Sequence, residues 1–313
     1  MYIGIDLGGT KIAVGLVNEN GEIIAKKSAP TLRERGYKEI VKDMAELSKS
    51  VVKESGYDIQ DIAAVGIGCP GTTDSERGLV LYSNNIVMHN VPLAEEFRKY
   101  LDLPITLIND ADAAAFGEYR AIGKKMHSFL FVTLGTGVGG GIIINDKIFD
   151  GFNHSGGEIG HMAIVLDGKE CTCGRKGCFE QYASVTALGE QTREKMKNCP
   201  ESIMNDWVKK RGRVSGRTAF ECAKRGDKAA QEVKDQYIRY VAEGISNLVN
   251  IFQPEMVVIG GGISKEGDEL LIPIKRIVYK NDYNKDGPKT EIKIAKLFND
   301  AGIIGAAMAT LMK

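Results

Sequence analysis

His161, Cys171, Cys173 and Cys178 follow one another as H-x9-C-x-C-x4-C. Four nitrogen and sulfur donors on short loops suit a tetrahedral Zn²⁺, and a complete set leaves no open position for a catalytic water. The spacing therefore predicts a structural zinc site, with Gly174 and Gly177 letting the chain fold back around the ion. Acidic residues bracket the cluster, Glu158 before His161 and Glu180 after Cys178. Carboxylates on a metal-pinned loop suit paired hydrogen bonds to vicinal sugar hydroxyls; plain surface solvation is the competing explanation for each.

Three glycine-rich turns have the composition of phosphate cradles, because glycine lets backbone N–H groups converge on one oxygen. They are Gly8-Gly9-Thr10-Lys11, Gly135–Gly141 and Gly260-Gly261-Gly262. The second formally matches G-x-G-x-x-G, but a strand follows it where a dinucleotide fold needs a helix. The chain contains no G-x-x-x-x-G-K-[ST], so it has no P-loop. Thr10 and Thr136 add hydroxyl donors, Lys11 adds charge, and Asp6 is placed to hold Mg²⁺ through water. Tight hairpins are the alternative for the glycines, and a turn carboxylate for Asp6. Ile105–Ile108 then runs into Asn109-Asp110-Ala111-Asp112, a polar pair at the carboxyl end of a strand, where α/β folds gather their ligands. Asp110 could deprotonate an incoming hydroxyl while Asn109 bonds a neighbouring one. Both are also preferred helix caps, and spacing leaves the two roles open.

The elements that must position these residues form an α/β pattern that occurs twice. Tyr2–Asp6, a glycine turn, Ile12–Val17, the turn Asn18–Gly21 and Ile23–Ala25 make the first strand series. Phe129–Leu134, Gly135–Gly141, Ile142–Ile144, Asn145-Asp146 and Ile148-Phe149 repeat it in register, as an internal duplication. Helices are predicted near Glu39–Ser55, Leu93–Leu101, Asp110–Ile122 and Lys228–Phe252, with strands at Ala63–Gly68 and Met256–Ile259. An apolar final helix near Ile303–Met312 must pack against something.

Bulk properties narrow the class. A chain of 313 residues suggests two lobes, with a boundary near Gly123. Forty-one basic residues balance 41 acidic ones, so no global field recruits nucleic acid or anionic lipid. No apolar run approaches the roughly 20 residues that cross a bilayer, and a strand starting at Tyr2 leaves no room for a signal peptide. The expectation is a cytoplasmic protein with no nucleic-acid or membrane partner.

Together these segments resemble the ROK family of sugar kinases and repressors, within the actin-like ATPase superfamily, over essentially the whole chain. The resemblance rests on Asp6–Lys11, Gly66–Gly71, Asn109-Asp110-Ala111, Leu134–Gly141, Gly156–His161 and Cys171–Glu180. The last two blocks form the family's zinc signature. The resemblance implies a two-lobed, ribonuclease H-like α/β fold of duplicated βββαβαβα-type domains around an interlobe cleft. Residues 1–122 would form one lobe, completed by a C-terminal helix at about 300–313, and residues 123–299 the other, with the zinc loop.

It also implies an ATP-dependent hexose kinase, glucose preferred, with Mg²⁺-ATP and structural Zn²⁺. Asp110 would be the general base. Asn109, Glu158, His161 and Glu180 would bind sugar hydroxyls, His161 serving zinc as well, and Gly71 and Asn85 would line the sugar pocket. Asp6, Gly8, Gly9, Thr10, Lys11, Thr136, Gly137, Gly261 and Gly262 would meet the nucleotide or its cation. A homodimer or homotetramer is implied. Glucokinases of the family often carry Asn-Leu-x-Trp where this chain reads Asn85-Ile86-Val87-Met88-His89, so fructose, mannose and N-acetylmannosamine stay open as substrates. Family repressors carry an N-terminal helix-turn-helix that would not fit before the first phosphate turn, so a non-catalytic sugar sensor is the weaker expectation. A chaperone- or filament-class ATPase would have no need of the zinc block.

Overall fold

Alternating β-branched and small residues at Tyr2–Leu7 and Lys11–Val17 favour extended backbone, and both segments are almost wholly buried. The computed structural model describes residues 1–312. In chain order the first elements are β1 (Tyr2–Leu7), β2 (Lys11–Val17), β3 (Ile23–Pro30), α1 (Tyr37–Glu54) and β4 (Ala64–Cys69). The strands β5 (Thr72–Asp74), β6 (Leu79–Ser83) and β7 (Met88–Val91) follow, then α2 (Leu93–Arg98), β8 (Ile105–Asn109) and α3 (Asp110–Ile122). Next come β9 (Ser128–Leu134), β10 (Val138–Ile144), β11 (Lys147–Ile148), α4 (Glu180–Ala183), α5 (Val185–Asn198), α6 (Ile203–Arg211), α7 (Thr218–Ala223) and α8 (Lys228–Phe252). The chain continues through β12 (Met256–Gly260), α9 (Asp268–Asn281), β13 (Glu291–Ile294) and α10 (Ala301–Ala309).

The duplication read from the glycine turns extends to sheet topology. One sheet runs β3-β2-β1-β4-β8 and the other β11-β10-β9-β12-β13. In the first, β1 pairs antiparallel with β2 and parallel with β4, and β4 pairs parallel with β8. In the second, β12 pairs parallel with both β9 and β13. A small antiparallel sheet, β5-β6-β7, was not foreseen from sequence. The chain forms two compact units, one of Met1–His127, Gly141–Gly157 and Lys296–Lys313, and a second of Ser128–Gly140 and Glu158–Ala295.

The first unit explains the apolar C-terminal segment. Every residue of α10 is buried, and small residues let it lie directly on backbone. A Cβ on Gly66 of β4 would sit 1.7 Å from the Ala306 carbonyl oxygen, and one on Gly305 would sit 1.6 Å from that of Ala113 in α3. The α10 approach is set by Glu118, a buried carboxylate of α3 that accepts N–H bonds from Lys296 and Leu297 at 2.9 and 2.7 Å. In the second unit, Val233, Tyr237, Val241, Ile245 and Leu248 recur at helical spacing along α8 and are all buried.

Candidate active site

In the first unit the carboxyl ends of β1 and β8 each carry an acidic residue. Asp6 pairs with Gly68 across β1 and β4, and Gly68 with Ile108 across β4 and β8. Asp110 follows two residues beyond that row, as the first residue of α3. Gly68 stands between them without a side chain. Burial, with the negative charge of Asp110 second and Lys11 opposing, lifts the Asp6 carboxyl from 3.8 to about 6. Two carboxylates that raise one another's affinity for positive charge suit a divalent cation.

Asn109 caps α3 and is itself anchored through its amide. Its Oδ1 accepts the Ala111 and Asp112 N–H groups at 2.8 and 3.1 Å, the N-cap role. Its Nδ2 donates to the Gly71 carbonyl at 3.0 Å, which ties the start of α3 to the turn before β5. Gly71 has φ +100°, a region that glycine adopts without strain, and a Cβ there would sit 2.1 Å from the Tyr82 carbonyl oxygen. Asn85 is exposed beside Gly9, and its carbonyl takes an Arg33 guanidinium bond at 3.4 Å. The turn Gly8–Lys11 closes through Gly8 N–H to the Lys11 carbonyl at 2.9 Å, and the Thr31 hydroxyl holds the Gly8 carbonyl at 2.6 Å. Thr10 and Lys11 are exposed, and Lys11, which closes the turn, is also the first residue of β2.

The second unit gathers Thr136, Gly137, Gly261, Gly262 and the Cys–His cluster. Glu180, at the start of α4, accepts the Val138 N–H at 3.0 Å, and a Cβ on Gly137 would sit 2.2 Å from the same carboxylate oxygen. The second glycine turn thus packs on the carboxylate that follows the Cys171–Cys178 loop. The Thr136 and Gly135 carbonyls are held by the Thr186 hydroxyl at 2.7 Å and the Val185 N–H at 2.8 Å, both at the start of α5. A cavity of about 440 Å³ opens beside Gly135, Thr136 and Gly262, with Arg193, Arg213 and Ser215 in its wall. Sequence reasoning missed those three; the basic run Lys209-Lys210-Arg211-Gly212-Arg213 was the available signal.

The donor atoms of His161, Cys171, Cys173 and Cys178 all lie within 4.8 Å of one another. Cys171 Sγ is 3.6 Å from His161 Nδ1, and Cys173 Sγ is 3.7 Å from Cys178 Sγ. Tetrahedral Zn–S bonds of about 2.3 Å imply sulfur–sulfur edges of about 3.8 Å, so the donor set fits zinc. Because Nδ1 faces the cluster, Nε2 is the nitrogen left for a second partner. Burial alone would raise the Cys171 thiol, but hydrogen bonds with Cys173 and His161 hold it down to about 7. Burial, reinforced by the neighbouring cysteines, pushes Cys178 up to about 12. Glu158 is exposed immediately before the turn Ile159–His161. Among the described residues no helix is long and apolar enough to cross a membrane.

Comparison with known proteins follows the same lines. The model of the ROK family matches residues 2–313. The chain is 36% identical over 307 residues to a glucokinase of Thermotoga maritima, covering 97% of this chain and 95% of that protein. It is 30% identical to a xylose repressor of Caldicellulosiruptor bescii, covering 97% of this chain and 76% of the repressor. The crystal structure of a ROK family glucokinase from Streptomyces griseus, in complex with glucose and AMPPNP, matches with a TM-score of 0.83. It is 34% identical, with 98% of each chain covered.

Proposed function

Because the chain belongs to the ROK family, we propose that it transfers the γ-phosphoryl group of ATP to a hydroxyl of free glucose, with Asp110 as general base. It is a sugar phosphotransferase with the actin-like ATPase fold, and it uses ATP. Glucose as the first-choice hexose is supported by the glucokinases among its relatives. The observation that carries the assignment of the base is the position of Asp110. It opens α3 at the carboxyl end of β8, with Asn109 capping the helix and anchored to Gly71.

In this reading the Asp110 carboxylate takes the proton of the sugar hydroxyl as its oxygen attacks the γ-phosphorus. The bond from that phosphorus to the β,γ-bridging oxygen breaks, and ADP leaves. Asn109, Glu158, His161 and Glu180 bind and orient sugar hydroxyls, with Gly71 and Asn85 lining the pocket. The turns Gly8–Lys11, Thr136-Gly137 and Gly261-Gly262 supply N–H and hydroxyl donors to the nucleotide. Asp6 would hold Mg²⁺, which neutralises charge on the phosphates when bound. Zn²⁺ on His161, Cys171, Cys173 and Cys178 would fix the loop that carries His161 and leads into Glu180. We further propose that the protein works as a homodimer or homotetramer.

Asp110→Asn keeps the shape and removes the base. It is expected to lower kcat by about 10²–10⁴ while sugar binding persists. Turnover within a few-fold of the wild type would remove Asp110 from this role. A panel of glucose, fructose, mannose and N-acetylmannosamine with ATP tests the substrate, and a protein that binds a hexose but phosphorylates none would be a sugar sensor.

A further inference from the structure

The first unit holds a His–Asp cluster that none of these roles uses. His154 lies in the segment Asp150–Gly157, which leads by direct chain connection into Glu158. Its backbone is left-handed, at φ 59°, where a residue other than glycine is held at a cost. Its ring joins two carboxylates: Nδ1 is 2.8 Å from Asp150 Oδ2, and Nε2 is 4.0 Å from Asp74 Oδ2. Asp74 is buried at the end of β5, and its other oxygen accepts the Arg77 N–H at 2.9 Å, so that anchor is fixed. One residue on, Ser155 Oγ is 3.4 Å from Thr72 Oγ1 of the same strand. The segment also closes on itself, Gly156 N–H donating to the Asp150 carbonyl at 2.6 Å.

The strand β5 that receives both contacts begins one residue after Gly71, whose carbonyl holds Asn109 Nδ2. A continuous set of contacts therefore runs from His154 through Asp74, Thr72 and Gly71 to Asn109, the cap beside Asp110. Its other end is the chain entering Glu158. We infer that His154 is a positioning residue of the sugar site: with Ser155 it clasps the Asp150–Gly157 segment to β5 and so fixes the chain that delivers Glu158 to the sugar. It touches no reacting atom, and its effect is on sugar affinity in preference to the chemical step or the nucleotide. This inference rests on the kinase reading above.

The test separates the clasp from backbone strain. His154→Gly removes both ring contacts and leaves the left-handed backbone relaxed, whereas His154→Asn tolerates that backbone and keeps one amide donor toward Asp150. Steady-state kinetics are measured at saturating ATP with varied glucose, and the reverse. His154→Gly is expected to raise the glucose KM by roughly tenfold or more, as loss of a hydrogen bond to a charged group does. The ATP KM and kcat should stay within about twofold, and His154→Asn should fall between Gly and wild type. Combined with Asp74→Asn, the two effects on glucose KM are expected to be less than additive; where Asp74→Asn does not fold, Asp150→Asn takes its place. Equal rises in both KM values, additive effects, or a glucose KM left unchanged in His154→Gly would each overturn the clasp. A wild-type protein that phosphorylates no hexose would sink the kinase reading instead, and an active wild type beside an indifferent His154→Gly would sink the clasp alone.

Discussion

At Asp6 proposed function and stability pull against each other, and Asp6→Asn measures the conflict. Burial and the neighbouring Asp110 lift its carboxyl from 3.8 to about 6. At 1.36 kcal/mol per pH unit, ionised Asp6 costs the folded state about 3 kcal/mol. The sign follows from linkage. At pH values below 3.8 the carboxyl is protonated in both states and the penalty is absent. As pH rises the unfolded chain ionises first, and stability falls until the folded carboxyl ionises too, at about pH 6 and above. In urea titrations without divalent cations, Asp6→Asn should therefore match the wild type near pH 3 and exceed it by about 3 kcal/mol at pH 8. Mg²⁺ with nucleotide should stabilise the wild type and leave the variant nearly unmoved, while turnover by the variant collapses. An Asp6→Asn protein no more stable than the wild type at pH 8 in chelator would refute the argument.

Two further outcomes follow from the geometry. Cys173→Ser breaks the four-donor set and is expected to leave protein without stoichiometric zinc by elemental analysis, less stable and with weakened glucose affinity, because one loop carries the metal ligands and leads into Glu180; a wild type purified without zinc would undo the metal assignment. Gly66→Ala forces a methyl to 1.7 Å from the Ala306 carbonyl oxygen, so α10 must shift, at a cost of about 3 kcal/mol in urea unfolding; a neutral result would mean that α10 is not docked as described.

Several features were legible in the sequence because the physics behind them is local. His161, Cys171, Cys173 and Cys178 lie on one short stretch, and their spacing alone singles out four donors of the kind that suits zinc, which the structure brings within 4.8 Å of one another. Strand alternation and glycine turns gave the duplicated strand series, and 3.6-residue periodicity gave α8. Asn109 was readable as a cap because a cap acts on the next two N–H groups.

Other features depend on which distant segments pack together. The strands β5 to β7 are short and mixed in polarity, so no period announces them, and β13 and the helices α4 to α7 lack a pattern strong enough to stand alone. Only the fold sets Glu180 under the Gly137 turn, Arg193 and Arg213 beside Thr136, and α10 on Gly66. The proton affinity of Asp6 belongs to the same class. Sequence supplies the carboxyl group, but its charge is priced by burial and by Asp110, which comes 104 positions later in the chain (6 to 110) and is brought near by β4 pairing with β1 on one side and β8 on the other. Local spacing can specify a ligand set or a helix cap; the electrostatics of a buried group are decided by its tertiary neighbours.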